Sequence, residues 1–176
     1  MRVRNTVIVC AGAMGAVVAT SVPTSAVDTV TTSTVTATTG LTISAPANAT
    51  LSSAAPGGQA TGALGNVTVN DQRSQLNTTW TATVSLAAPG FTTGAGTAAE
   101  TIPGSNVTYD PGAAINPVNP PFTPGTAGTL AAPRTAFSRA SGNGANSVSW
   151  NPTLTVSVPA SSVSGDYQGT VTHSVA

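Results

Sequence analysis

The sequence predicts an all-β protein: an antiparallel β-sandwich, Greek-key-like, with about eight to ten short strands behind an N-terminal export signal. Three observations predict it. Several segments alternate apolar and hydroxyl-bearing residues with period two, the pattern of an extended chain with one face in a core and one in water. Clusters of turn-forming residues separate these segments, and the 176 residues include 18 Gly and 13 Pro. Ser and Thr together supply 49 residues. Both are poor in helix interiors, whereas the β-branch of Thr suits a strand.

The first element is the export signal, residues 1–26. Arg2 and Arg4 form a short positive region, and Val7 to Val18 is uncharged and mostly apolar. Ser21 to Ala26 then breaks the run and ends in small residues, so cleavage is expected after Ala26. The apolar stretch falls short of the roughly 20 residues that span a bilayer. Val3 separates the two arginines, which excludes a twin-arginine signal. Cys10, the one cysteine of the chain, lies inside this segment. Its removal leaves a mature chain that must fold in an oxidising compartment without disulfides. Residues 27–40 hold seven Thr in 14 positions. Val30 and Val35 cannot share a strand face, so this part reads as a tether or a first edge strand.

Residues 41–176 form the predicted sandwich domain. Leu41 to Ser44 and Thr50 to Ser53 are short strand candidates, and Val67 with Val69 opens another. In Thr79 to Leu86, Trp80, Ala82, Val84 and Leu86 share one face. Val107 with Tyr109, and Val148 with Trp150, continue the pattern. Leu154, Val156 and Val158 line one face of the next strand, and Tyr167, Val171, His173 and Val175 line up in the last. Turn clusters fall at 55–62, 89–96, 103–105, 116–128, 142–146 and 161–165. Pro117, Pro120, Pro121 and Pro124 surround Phe122. Proline cannot donate to a ladder, so Ile115 to Pro124 is expected to be an ordered loop or a flap over a sheet edge.

Charge narrows the function. Without residues 1–26, three arginines (Arg73, Arg134, Arg139) stand against five acids (Asp28, Asp71, Glu100, Asp110, Asp166), a net charge of 3 − 5 = −2. No block of like charge exists, so no nucleic-acid partner is expected. Catalysis is not expected either. The chain has a single histidine, His173, and its carboxylates sit in no recognisable acid–base motif. No cofactor is implied, and no cluster of His, Cys or carboxylates has metal-ligand spacing. Asp71 and Arg73, two apart, are expected to share a strand face and form an ion pair closing the sheet end. Trp80 and Trp150 read as core residues and His173 as a partly buried structural histidine.

The order of motifs carries a family resemblance. Gly65-Asn66-Val67-Thr68-Val69-Asn70-Asp71-Gln72-Arg73 is followed by Trp80-Thr81-Ala82-Thr83-Val84-Ser85. Later come Trp150-Asn151-Pro152-Thr153-Leu154, Val158-Pro159, Gly165-Asp166-Tyr167 and the closing run Gly169 to Val175. From Leu41 to Ala176 this resembles a divergent WxL-type domain of Gram-positive surface proteins. Trp80-Thr81-Ala82 stands where the family has its first Trp-x-Leu, and His173-Ser174-Val175 where it has the second. The resemblance implies a secreted β-sandwich held non-covalently at the cell wall, with peptidoglycan as ligand. Arg134 and Arg139, in a segment of weak strand pattern, are expected to be more exposed than Arg73. They are therefore candidate contacts to wall carboxylates or phosphates. No sorting signal of the LPxTG type and no C-terminal apolar tail is seen, so no stable membrane or covalent anchor is expected after signal cleavage. Two alternatives stand beside this reading: a structural subunit of an extracellular coat or filament, and a free secreted binding protein.

Overall fold

The computed structural model describes residues 40–176; the expected signal peptide and all but the last residue of the 27–40 segment lie outside the described residues. The described residues form fourteen strands. The first seven are β1 (Leu41–Ser44), β2 (Gln59–Ala63), β3 (Val67–Asp71), β4 (Trp80–Leu86), β5 (Phe91–Thr92), β6 (Thr101–Ile102) and β7 (Val107–Asp110). The rest are β8 (Ile115–Val118), β9 (Thr123–Pro124), β10 (Gly128–Thr129), β11 (Arg134–Arg139), β12 (Asn146–Trp150), β13 (Thr153–Ser157) and β14 (Val171–Val175). Four of them (β5, β6, β9, β10) are only two residues long.

Three four-stranded antiparallel sheets have the orders β1-β3-β12-β8, β10-β7-β13-β2 and β14-β4-β11-β9. No ladder within them joins strands consecutive in sequence; only the small β5–β6 pair does so. Apart from β5 to β6, the chain changes sheet at each step, as β2, β3 and β4 do, and as β11, β12 and β13 do again. Every large sheet is therefore assembled from distant parts of the chain.

All three sheets send alternate residues into one core. Val67, Val69 and Asp71 point inward from β3, and Trp80, Ala82 and Val84 from β4. Val148 and Trp150 do so from β12, and Leu154 and Val156 from β13. Phe137 of β11 stacks on Trp150 with ring centroids 4.7 Å apart and planes 24° from parallel. This seven-aromatic chain thus spends two of its rings on one contact at the centre.

Five local expectations are corrected. Ile115 to Pro124 is not a loop throughout: its ends are the edge strands β8 and β9, paired with β12 and β11, and only Asn119 to Phe122 lies between them. Thr50 to Ser53 is not a strand. It runs beside β2, where the Ser52 N–H donates to the Thr61 carbonyl at 2.8 Å and the Thr61 N–H to Ser52 Oγ at 3.0 Å. Gln59 to Ala63 is β2 rather than part of a turn. Its side chains are small because the 50–51 backbone lies against it: a Cβ on Gly62 would stand 2.8 Å from the Thr50 carbonyl. Arg134 to Arg139 is a full strand whose pattern is broken by a bulge between Thr135 and Phe137. Ala136 and Phe137 are therefore both buried, and Arg139 turns inward. Tyr167 precedes β14 instead of lying on it, because Gln168 bridges to Thr92.

Candidate functional site

A buried polar cluster closes one end of the core, built from the ends of four strands. Asp71 ends β3, Trp80 opens β4, Arg139 ends β11 and Asn146 opens β12. Arg73 grips both oxygens of Asp71, with Nε to Oδ1 and Nη2 to Oδ2 each 2.9 Å, and its Nη2 also donates to the Thr79 carbonyl at 2.8 Å. Asn146 bridges the cluster to the core. Its Nδ2 donates to Asp71 Oδ2 at 3.0 Å, and its Oδ1 accepts from Trp80 Nε1 at 3.0 Å. Burial pushes the Asp71 carboxyl pKa up. The hydrogen bonds from Arg73 and Asn146 outweigh that and hold it below the ordinary value.

The exposure expected of the wall-contact arginines is reversed at Arg139. It is 1% exposed, whereas the Arg73 side chain is 29% exposed. The β11 bulge sets it inward, and the Phe122 ring covers its guanidinium at 5.6 Å. Desolvation lowers its pKa, with the charge of Asp71 opposing. Arg134 is half-buried against Gly128, and its Nη2 donates to the Thr126 carbonyl at 3.1 Å.

A second constellation joins the three sheets through hydrogen bonds. Trp150 Nε1 donates to the Tyr109 hydroxyl at 2.9 Å, and that hydroxyl lies 3.0 Å from His173 Nε2. An indole N–H can only donate, so the Tyr109 oxygen accepts from it and its own proton is free for His173. With the Tyr109 proton in that bond, Nε2 of His173 is the acceptor and Nδ1 carries the imidazole proton. Burial pushes the His173 pKa down to about 4 and the Tyr109 pKa up to about 12. Both are therefore neutral near pH 7.

His173 also lines a cavity of about 460 Å³ that adjoins a second of about 580 Å³. Ala49, Thr50, Leu51, Phe91 and Tyr167 line both. The first reaches the inward residues Val67 and Leu154, and its lining carries no Asp, Glu, Lys or Arg. The second reaches Ile102 and Val156, with Asp166 at its rim. Together they make an amphipathic groove between the 45–56 and 163–169 segments. Tyr167 is held in its wall by its hydroxyl, which lies 2.9 Å from the Val163 carbonyl and 3.1 Å from that of Ala99.

The six structural candidates thus divide. Asp71, Arg73 and Trp80 meet in the polar cluster, Trp150 and His173 in the hydrogen-bonded chain, and Tyr167 in the groove wall. The groove itself escaped the sequence reading. Its one local signal is the isolated apolar residues Leu51 and Phe91 among turn formers. Other carboxylates are engaged locally: Glu100 accepts from the Thr97 N–H at 2.9 Å, and Asp110 from the Gly112 N–H at 3.0 Å. Among the described residues no group of three or more His, Cys, Asp or Glu side chains could hold a metal ion, and no helix is long and apolar enough to cross a membrane.

Comparison with known protein families, with characterised proteins and with solved structures gives no match. What the groove offers chemically is apolar surface, two aromatic rings, a neutral imidazole, amides and, at its rim, the Asp166 carboxylate. It can bind a neutral or amphipathic group by shape and hydrogen bonding.

Proposed function

We propose that the protein is a secreted, non-catalytic surface module that associates non-covalently with the Gram-positive cell wall, with peptidoglycan as ligand and the Phe91–Tyr167 groove as its binding surface. The observation that carries this reading is the groove. It is an open recess with apolar depth and polar rim, whereas Trp80 and Trp150 are 2% and 0% exposed and so have no free face for a sugar. The motif order from Asp71 through Trp80 to Tyr167 supports the wall as the target, and the N-terminal segment with Arg2, Arg4 and an apolar run supports export. A module of net charge −2 gains little from electrostatic attraction to acidic wall polymers, so binding rests on shaped contacts.

The test is sedimentation of mature protein with purified walls, using Ala49→Trp to fill the recess from an exposed position that lines both cavities. Wild type pellets, and the variant stays in the supernatant with an unchanged melting midpoint. If wild type also stays in the supernatant, the wall reading fails. Concentration-dependent assembly then becomes the property to measure, for a coat or filament subunit.

A further inference from the structure

The buried polar cluster does not balance. Asp71 contributes −1, while Arg73 and Arg139 contribute +1 each. Both oxygens of Asp71 are taken, Oδ1 by Arg73 and Oδ2 by Arg73 and Asn146. Arg139 uses only Nε, which donates to the Ser141 carbonyl at 3.0 Å. Its Nη1 and Nη2 are buried and have no hydrogen-bond partner. A buried guanidinium edge with unmet donors and an uncompensated charge is an arrangement that folded proteins rarely leave empty.

We propose that Arg139 is the floor of a binding site for a single oxyanion group, a carboxylate or a phosphate, and that Phe122 is its lid. The planar fork of a guanidinium matches two oxygens of either group. The covering element rests on the guanidinium through one side chain. Asn119, Pro120, Pro121, Thr123 and Pro124 are exposed, and only Phe122 turns inward, lying 5.8 Å from Trp80 and 5.6 Å from the guanidinium. The flap is pinned at both ends, by the Ser147–Val118 and Ser138–Thr123 pairings, and Asn119 Nδ2 donates to the Asn143 and Ala145 carbonyls. None of these pairings involves Phe122, so displacement of its ring would uncover the guanidinium without breaking a ladder. The neighbouring wall is bare backbone. Gly142 has φ +130°, and any Cβ there would occupy the place of Arg139 Nη2.

The site is separate from the groove and does not depend on wall binding. The experiment is a melting series of the mature protein in phosphate, acetate or chloride at one ionic strength. An oxyanion at ten times its dissociation constant raises the midpoint by about 4 °C over chloride. Arg139→Gln abolishes the rise. Arg139→Lys, which keeps the charge and loses the fork, abolishes most of it and serves if the Gln variant does not fold. Phe122→Ala lowers the oxyanion concentration needed for the half-maximal rise. A rise with acetate alone assigns the site to carboxylates, and a rise with phosphate alone assigns it to phosphates. No rise in wild type and Phe122→Ala overturns the proposal, as does an equal rise in both Arg139 variants.

Discussion

Replacing His173 by Phe separates the charge of the imidazole from its volume. The folded chain holds His173 near pKa 4 by burial, while the ordinary value is 6.5. Between these values the unfolded chain binds a proton that the folded chain does not. Stability is therefore fully present above pH 6.5 and is lost as pH falls toward 4. Each pH unit in that window is worth up to about 1.4 kcal/mol, which gives about 2 kcal/mol of loss at pH 5. The ring lines a cavity open to solvent, so screening reduces this to about 1 kcal/mol. Phenylalanine removes the titration but leaves the Tyr109 hydroxyl proton without its acceptor, a cost of about 1 kcal/mol at any pH. Urea unfolding midpoints should then favour wild type by about 1 kcal/mol at pH 7.5, with the gap closing by pH 5. Below pH 4 both proteins weaken, because the Asp71 pKa is lowered in the fold and its contribution disappears as the carboxyl protonates. Parallel stability profiles between pH 7.5 and 4.5 would refute the buried, neutral imidazole.

Three further substitutions test the polar cluster. Asn146→Ala leaves Trp80 Nε1 without its acceptor and Asp71 Oδ2 without one donor, and should cost about 3 kcal/mol in denaturant melts. Arg139→Met keeps much of the volume while removing an uncompensated charge. It should be neutral or stabilising by about 1 kcal/mol, where an exposed arginine would show no such gain in calorimetry. Gly142→Ala combines a left-handed backbone with a collision against Arg139, and should lower stability by about 2 kcal/mol in thermal melts.

Legibility in the sequence follows periodicity. β3, β4, β12 and β13 are ordinary half-buried strands, and alternation locates them to within a residue or two. β2 escaped because its inward side is narrowed by the 50–51 backbone, so it carries Ala and Gly where larger residues would mark a strand. β11 escaped because one bulge reverses its parity and its last inward residue is an arginine. The Asp71–Arg73 pair was legible from its spacing but not from the shared strand face expected of it: β3 ends at Asp71, and Arg73 turns back on it from the segment beyond, its own N–H donating to Asp71 Oδ1 at 3.1 Å. Its third member, Asn146, lies 75 residues away and has no local signal. The groove is assembled from two non-repetitive segments more than 100 residues apart, which only the closed fold brings together.

Trp80 and Trp150 are structural residues in this fold. Both indole N–H groups are consumed internally, by Asn146 and by Tyr109. The two tryptophans thus hold the core together and present no free face to a ligand.

Pelleting of the mature protein with purified Gram-positive walls, followed across a salt series, tests this account most directly. Contacts made by shape and neutral hydrogen bonds are insensitive to screening, so the bound fraction should hold from about 50 mM to about 500 mM salt. A protein that remains in the supernatant, or that leaves the wall progressively as salt rises, would contradict binding through the apolar depth of the groove.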